Sequence, residues 1–133
     1  WLGVGVGNYA AAYPAYRLFN WENALGHAHM IYLNVLAETG VLGLVTYVIL
    51  WAGIAALTIR VARRASGWQR GLALGLLGAW AHLSTHQMVD NLYVNNIHFL
   101  LAGLLAMLVY LDQRTAPLPL SAGRAEGLGE GGR

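Results

Sequence analysis

The sequence predicts an all-α integral membrane protein: about three transmembrane helices with short interfacial helices on the outer face, the C-terminal part of a larger helical bundle. Three observations lead there. Of 133 residues, 57% are hydrophobic and only 11% charged, with a mean hydropathy of +0.48, a balance too apolar for an ordinary soluble domain of this size. An uncharged run from Val41 to Ile59 covers 19 residues, which at about 1.5 Å per residue spans the ~30 Å hydrocarbon core of a bilayer. Directly before it stand His27, His29 and Glu38, ionisable groups at a membrane boundary, where such groups mark a site.

Taken in order, residues 1–40 form an outer region that does not span. Asn8, Arg17, Asn20, Glu22 and Asn23 interrupt it, while Trp1, Tyr9, Tyr13, Tyr16, Phe19 and Trp21 give it the aromatic character of the membrane–water interface. Asn8 is placed to cap a short helix that Pro14 limits or kinks, and Ile31, Tyr32, Val35 and Leu36 recur at helical spacing between about Ala28 and Glu38. Residues 41–111 hold three apolar segments, Val41–Ile59, Gly71–Val89 and about Ile97–Leu111, each read as a spanning helix because such a segment must satisfy its own backbone. The loop from Arg60 to Arg70 carries four arginines and no acid, so the positive-inside rule puts it in the cytoplasm and puts residues 1–29 and the Asp90–Asn96 turn outside. Residues 112–133, with Pro117, Pro119 and five glycines, read as a disordered cytoplasmic tail.

Composition also excludes. The chain has no lysine, its eight arginines leave a formal net charge of only +2, and this argues against a nucleic-acid partner. Cysteine is absent, which removes disulfides, thiolate metal sites and cysteine nucleophiles. The chain begins at Trp1 without a basic stretch ahead of a short apolar one, so no signal peptide is read and the chain is expected to continue a longer protein.

Gly3-Val4-Gly5-Val6-Gly7-Asn8-Tyr9, then Ala28-His29-Met30-Ile31-Tyr32-Leu33, then Ala37-Glu38-Thr39-Gly40-Val41-Leu42-Gly43 ahead of a span resembles the C-terminal part of the O-antigen ligase and polymerase superfamily. Met30 stands where that family usually has asparagine. His86-Gln87-Met88-Val89-Asp90 and the Gly103-bearing last segment are similar to the family more weakly. The resemblance, over roughly residues 1–111, implies a polytopic glycosyltransferase of the bacterial inner membrane. Such an enzyme moves a glycan from an undecaprenyl-diphosphate carrier to a lipid or glycan acceptor hydroxyl on the periplasmic face, with no nucleotide sugar and no cofactor.

His29 suits that chemistry, because the attacking hydroxyl must lose its proton and imidazole, with an unperturbed pKa of about 6.5, serves as a general base near neutrality. The diphosphate leaving group calls for the planar fork of arginine. Arg17 is the one arginine on the outer side of this chain, and it reads equally as an aromatic-stacked or lipid-phosphate-contacting surface arginine. With Arg17, residues His27, Tyr32 and Glu38 complete the expected substrate-binding set. His27 would point away from His29 on a helix and reads more plainly as a solvated loop residue, and Glu38 either bonds nearby helix ends or orients a histidine.

Other positions have plainer readings. Gly3, Gly5 and Gly7 lack the spacing and the βαβ setting of a dinucleotide loop and read as close backbone approach in a turn. His82, His86 and Asp90 recur at i, i+4 and i+8, on one face of the second segment, and read as helix-to-helix packing rather than a metal site. Asn95, Asn96 and His98 read as interfacial anchors. A different class of function keeps the same residues, namely a non-catalytic membrane subunit or transporter fragment with histidines along a proton or substrate path. Within the enzyme class, polymerase and ligase differ in acceptor, not in base or leaving group.

Overall fold

Helices form where the apolar runs lie and extend beyond them into the polar residues that follow. A computed structural model describes residues 1–19 and 27–116, without the side chains of Val94 and Asn95. It contains helices α1 (Tyr9–Tyr16), α2 (Ile31–Arg64), α3 (Gly67–His86) and α4 (Ile97–Thr115), with a 3-10 turn at Leu92–Asn95 and no strand among the described residues. The chain is all-helical as expected. Trp21, Glu22 and Asn23 of the aromatic outer loop, and the tail from residue 117 on, lie outside the described residues.

Helix α2 is longer than its apolar run. It takes in the helical pattern before Gly40 and continues to Arg64, where Arg63 and Arg64 in the last turn meet the negative end of the helix dipole. Two residues, Ala65 and Ser66, then turn the chain into α3, so α2 and α3 pack as an antiparallel hairpin. Helix α4 runs parallel to α2 and packs on both, with Asn96 in the left-handed conformation (φ 56°) before its first residue, a geometry asparagine tolerates. It continues to Thr115, past the expected end at Leu111. The shared core holds Val61 and Ala62 from α2, Ala73, Leu76, Trp80 and Leu83 from α3, and Leu108 and Leu111 from α4. Trp80 crosses the hairpin, its Nε1–H donating to Thr58 Oγ1 at 3.1 Å.

The number of spanning helices differs from the expectation of three. Among the described residues two helices, α2 and α4, are long and apolar enough to cross a membrane. The Gly71–Val89 segment does not fold as read: α3 starts at Gly67, includes Gln69 and Arg70, and carries His82, Ser84, Thr85 and His86 in its last turns, after which the chain leaves the helix. These polar groups dilute its apolar content. On α1, Asn8 sits at the N-cap but makes no side-chain cap bond; its Nδ2 donates instead to the Val4 carbonyl at 3.2 Å. Pro14 lies inside α1 rather than at its end.

Candidate functional site

Two interruptions of helical backbone build the end of the bundle that carries the histidines. The first is in α2 at Gly40, which has φ 71° and ψ −168°, a conformation open to glycine and scarcely to any residue with a Cβ. Breaking a helix there strands carbonyls of the preceding turn and amides of the following one. The extended N-terminal segment supplies the missing partners. Val4 N–H donates to the Ala37 carbonyl and Gly5 N–H to the Glu38 carbonyl, both at 2.9 Å, and Val41 N–H donates to the Trp1 carbonyl at 3.2 Å. Close approach makes glycine necessary on both sides: a methyl at Gly3 would run into the Glu38 carbonyl, and one at Gly40 into the Trp1 carbonyl. Of the glycine triplet, Gly3 fits the backbone-approach reading, whereas Gly5 and Gly7 meet no distant backbone and share with it only a positive φ.

The second interruption is at the end of α3. After His86 the chain turns through Gln87–Val89, so Asp90 is no longer on the face of His82 and His86. This corrects the i, i+4, i+8 reading, whose helix would have had to run four residues further. Asp90 instead faces His29, with Nδ1 and Oδ1 3.9 Å apart, an ion-pair distance too long for a direct hydrogen bond. Both side chains are open to solvent, 64% exposed for His29 and 49% for Asp90. His27 lies beside them, its ring edge-on to His29 with centroids 5.8 Å apart, and its Nδ1–H donates to the Ala28 carbonyl at 3.2 Å. Thus His27, His29 and Asp90 come together. His82 is exposed, and its ring meets that of His86 at 5.7 Å on α3, so it does not make the packing contact with another helix that was expected of it.

Polar side chains lock this arrangement to the bundle. Ile31 N–H donates to the Gln87 carbonyl at 3.1 Å, Tyr32 hydroxyl donates to the Ser84 carbonyl at 3.0 Å, and Tyr47 hydroxyl donates to Gln87 Oε1 at 2.6 Å. Tyr32 therefore ties the first turn of α2 to the last turn of α3. Buried Asn34 accepts the Ala28 N–H on its Oδ1 at 3.0 Å, which fixes the loop that presents His29. An edge-to-face series of rings, Tyr32, Tyr47, Trp51 and Trp80, continues this contact down the hairpin.

The remaining expected site residues stand apart from the histidines. Glu38 is half-buried and lines a separate groove of about 300 Å³ with Val6, Asn34, Thr39, Tyr47 and Tyr93. Arg17 is exposed at the C-terminus of α1, where its N–H donates to the Tyr13 carbonyl at 3.0 Å and its charge complements the helix dipole. Helix α1 packs on α2 around a groove of about 390 Å³ lined by Val4, Tyr9, Tyr13, Tyr16 and Ala37. Among the described residues no three His, Asp or Glu side chains converge as metal ligands would.

Sequence reasoning missed the His29–Asp90 pairing and the roles of Asn34 and Gln87. A signal for the first was present: Asp90-Asn91 is a turn-forming pair, and Asn91 Oδ1 does accept the Tyr93 N–H at 3.2 Å as such a residue does. Compared with known proteins, the chain matches no family model, no curated protein and no solved structure.

Proposed function

We propose that this chain belongs to a membrane-embedded glycosyltransferase of the O-antigen ligase and polymerase type, with His29 as the general base. The observation that carries the reading is the exposed His29 imidazole set beside the Asp90 carboxylate at the open end of the α2–α3 hairpin, just ahead of the long apolar helix α2. A carboxylate near Nδ1 favours the tautomer with the proton on that nitrogen, which leaves the Nε2 lone pair to accept a proton. The acceptor hydroxyl gives its proton to Nε2 as its oxygen bonds to the anomeric carbon, and the bond from that carbon to the polyprenyl diphosphate breaks. The departing diphosphate takes the electron pair, and its charge requires cations beside His29, where this chain's Arg17 does not stand.

Insertion in the bilayer is part of the same proposal. Only 6% and 11% of the most apolar windows of α2 and α4 are buried within the protein, so their apolar surface needs a covering other than this chain's own core. The arginine-rich Arg60–Arg70 loop then faces the cytoplasm of a bacterial plasma membrane, and the histidine end faces outward. The donor is an undecaprenyl-diphosphate-linked glycan and the acceptor a lipid or glycan hydroxyl, a reading that draws on the Ala28–Leu33 and Ala37–Gly43 sequence resemblance.

His29→Ala is the test. In an assay of the protein in membranes with the lipid-linked glycan and an acceptor, the substitution lowers transfer by about 10²–10⁴, the usual contribution of a positioned base, while insertion is unchanged. His27→Ala has a far smaller effect. Full transfer by His29→Ala would sink the mechanism.

A further inference from the structure

We propose that the groove at the arginine end of α2 binds an anionic phospholipid, with its phosphate across the guanidinium groups and an acyl chain along the helix. The groove holds about 470 Å³ and is lined by Ala56, Ile59, Arg60, Arg63 and Arg64. These positions follow i, i+3, i+4, i+7 and i+8, a single stripe of a helix. The stripe changes character along its length: Ala56 and Ile59 are apolar, and the three arginines that line the groove follow them toward the helix end. A ligand that matches it has an apolar chain with an anion at one end. Arginine holds phosphate oxygens through a planar fork. No acidic residue occurs between Arg60 and Arg70, and the nearest ion pair is an exposed one from Arg64 to Asp112 at 3.9 Å. Trp68, 64% exposed on the same end of the bundle, is of the residue type that settles at headgroup level. A free phosphate would engage the arginines and leave Ala56 and Ile59 without a role, so the occupant is a lipid.

The proposal rests on the reading that α2 crosses a bilayer, and it puts the groove in the leaflet opposite the histidine end. The test reconstitutes the whole chain into nanodiscs of phosphatidylcholine alone or mixed with phosphatidylglycerol, then counts retained lipids by native mass spectrometry. Phosphatidylglycerol is retained over phosphatidylcholine. The R60Q/R63Q variant lowers that retention by about twentyfold, roughly a factor of five for each arginine near an anionic surface. Removing the same charge outside the groove, in R70Q/R114Q, changes it less than twofold. Ala56→Trp fills the apolar half with the charge intact and also lowers retention.

Equal losses in the two double variants, or unchanged retention in both R60Q/R63Q and Ala56→Trp, would overturn the groove as the site. Displacement of the lipid by inorganic phosphate would replace it with a site for a soluble anion. A chain that enters neither disc overturns the membrane reading and this proposal together, whereas entry into both without a preference for phosphatidylglycerol overturns this proposal alone.

Discussion

At the histidine end of the bundle, long-range hydrogen bonds hold a helix that breaks in mid-course; at the arginine end, packed aliphatic side chains hold regular helices joined by a two-residue turn. The first end has Gly40 at positive φ, the turn after His86, and a set of long-range bonds from Val4, Gly5, Ile31, Tyr32 and Tyr47. The second has Val61, Leu108 and Leu111 at 0–1% exposure and, among the described residues, one exposed ion pair, Arg64–Asp112. The difference follows from what each end displays. Side chains that must be set at given distances need a backbone bent to aim them, and the bend creates polar groups that must be paired. Arginines that need only project outward can ride on regular helix.

Substitutions at the two ends should separate these roles. The largest effect is one of sidedness. The chain has no cysteine, so single cysteines at Ser66 and Leu18 report the two ends, and a membrane-impermeant thiol reagent added to intact cells should label Leu18→Cys and not Ser66→Cys. Labelling of both from the same side would mean that α2 does not cross. Next comes Leu108→Ala, which empties a fully buried position and should cost about 3 kcal/mol in a detergent unfolding titration.

Gly40→Ala should cost somewhat less overall, roughly 2 kcal/mol, since a residue with a Cβ is strained at this φ. Its particular signature is loss of hydrogen-exchange protection at Val4 and Gly5. Gly53→Ala, in the same helix with open space around its Cβ position, should instead stabilise by about 0.5–1 kcal/mol. If both glycines respond alike, the break at residue 40 is not held by the N-terminal segment. Arg64→Ala is the smallest, under about 0.5 kcal/mol, because an exposed pair at 3.9 Å contributes little.

How much of this could be read from sequence follows the same division. Regular helix is written locally: the Val41–Ile59 and Ile97–Leu111 runs lie within α2 and α4, and the helical spacing of Ile31, Tyr32, Val35 and Leu36 is the first turns of α2. The close approach at Gly3 was legible in kind, but its partner some 35 residues away was not, because pairing between distant segments leaves no periodic trace. Gly71–Val89 misled for a local reason: its leucines sit mostly in the first half, and the His, Ser and Thr that follow dilute the average. Asp90 misled because helical phase was extended past the residue where the helix stops. The histidine motif itself stood out by its position at the edge of an apolar run, while Asp90 across from it required the fold.

The segment threaded against the Gly40 break also bears on the order in which the chain is assembled. Residues 1–5 are synthesised before Val41, and until Val41 exists the carbonyl of Trp1 lacks the partner it has in the fold. Joining residue 1 to residue 41 closes a loop of about 40 residues, at an entropic cost on the order of 3 kcal/mol from length alone. Three backbone bonds of about 1 kcal/mol each roughly offset it. The seam is therefore close to balance by itself. Its N-terminal side is made first, and its closure comes after the Gly40 break in α2 has been formed.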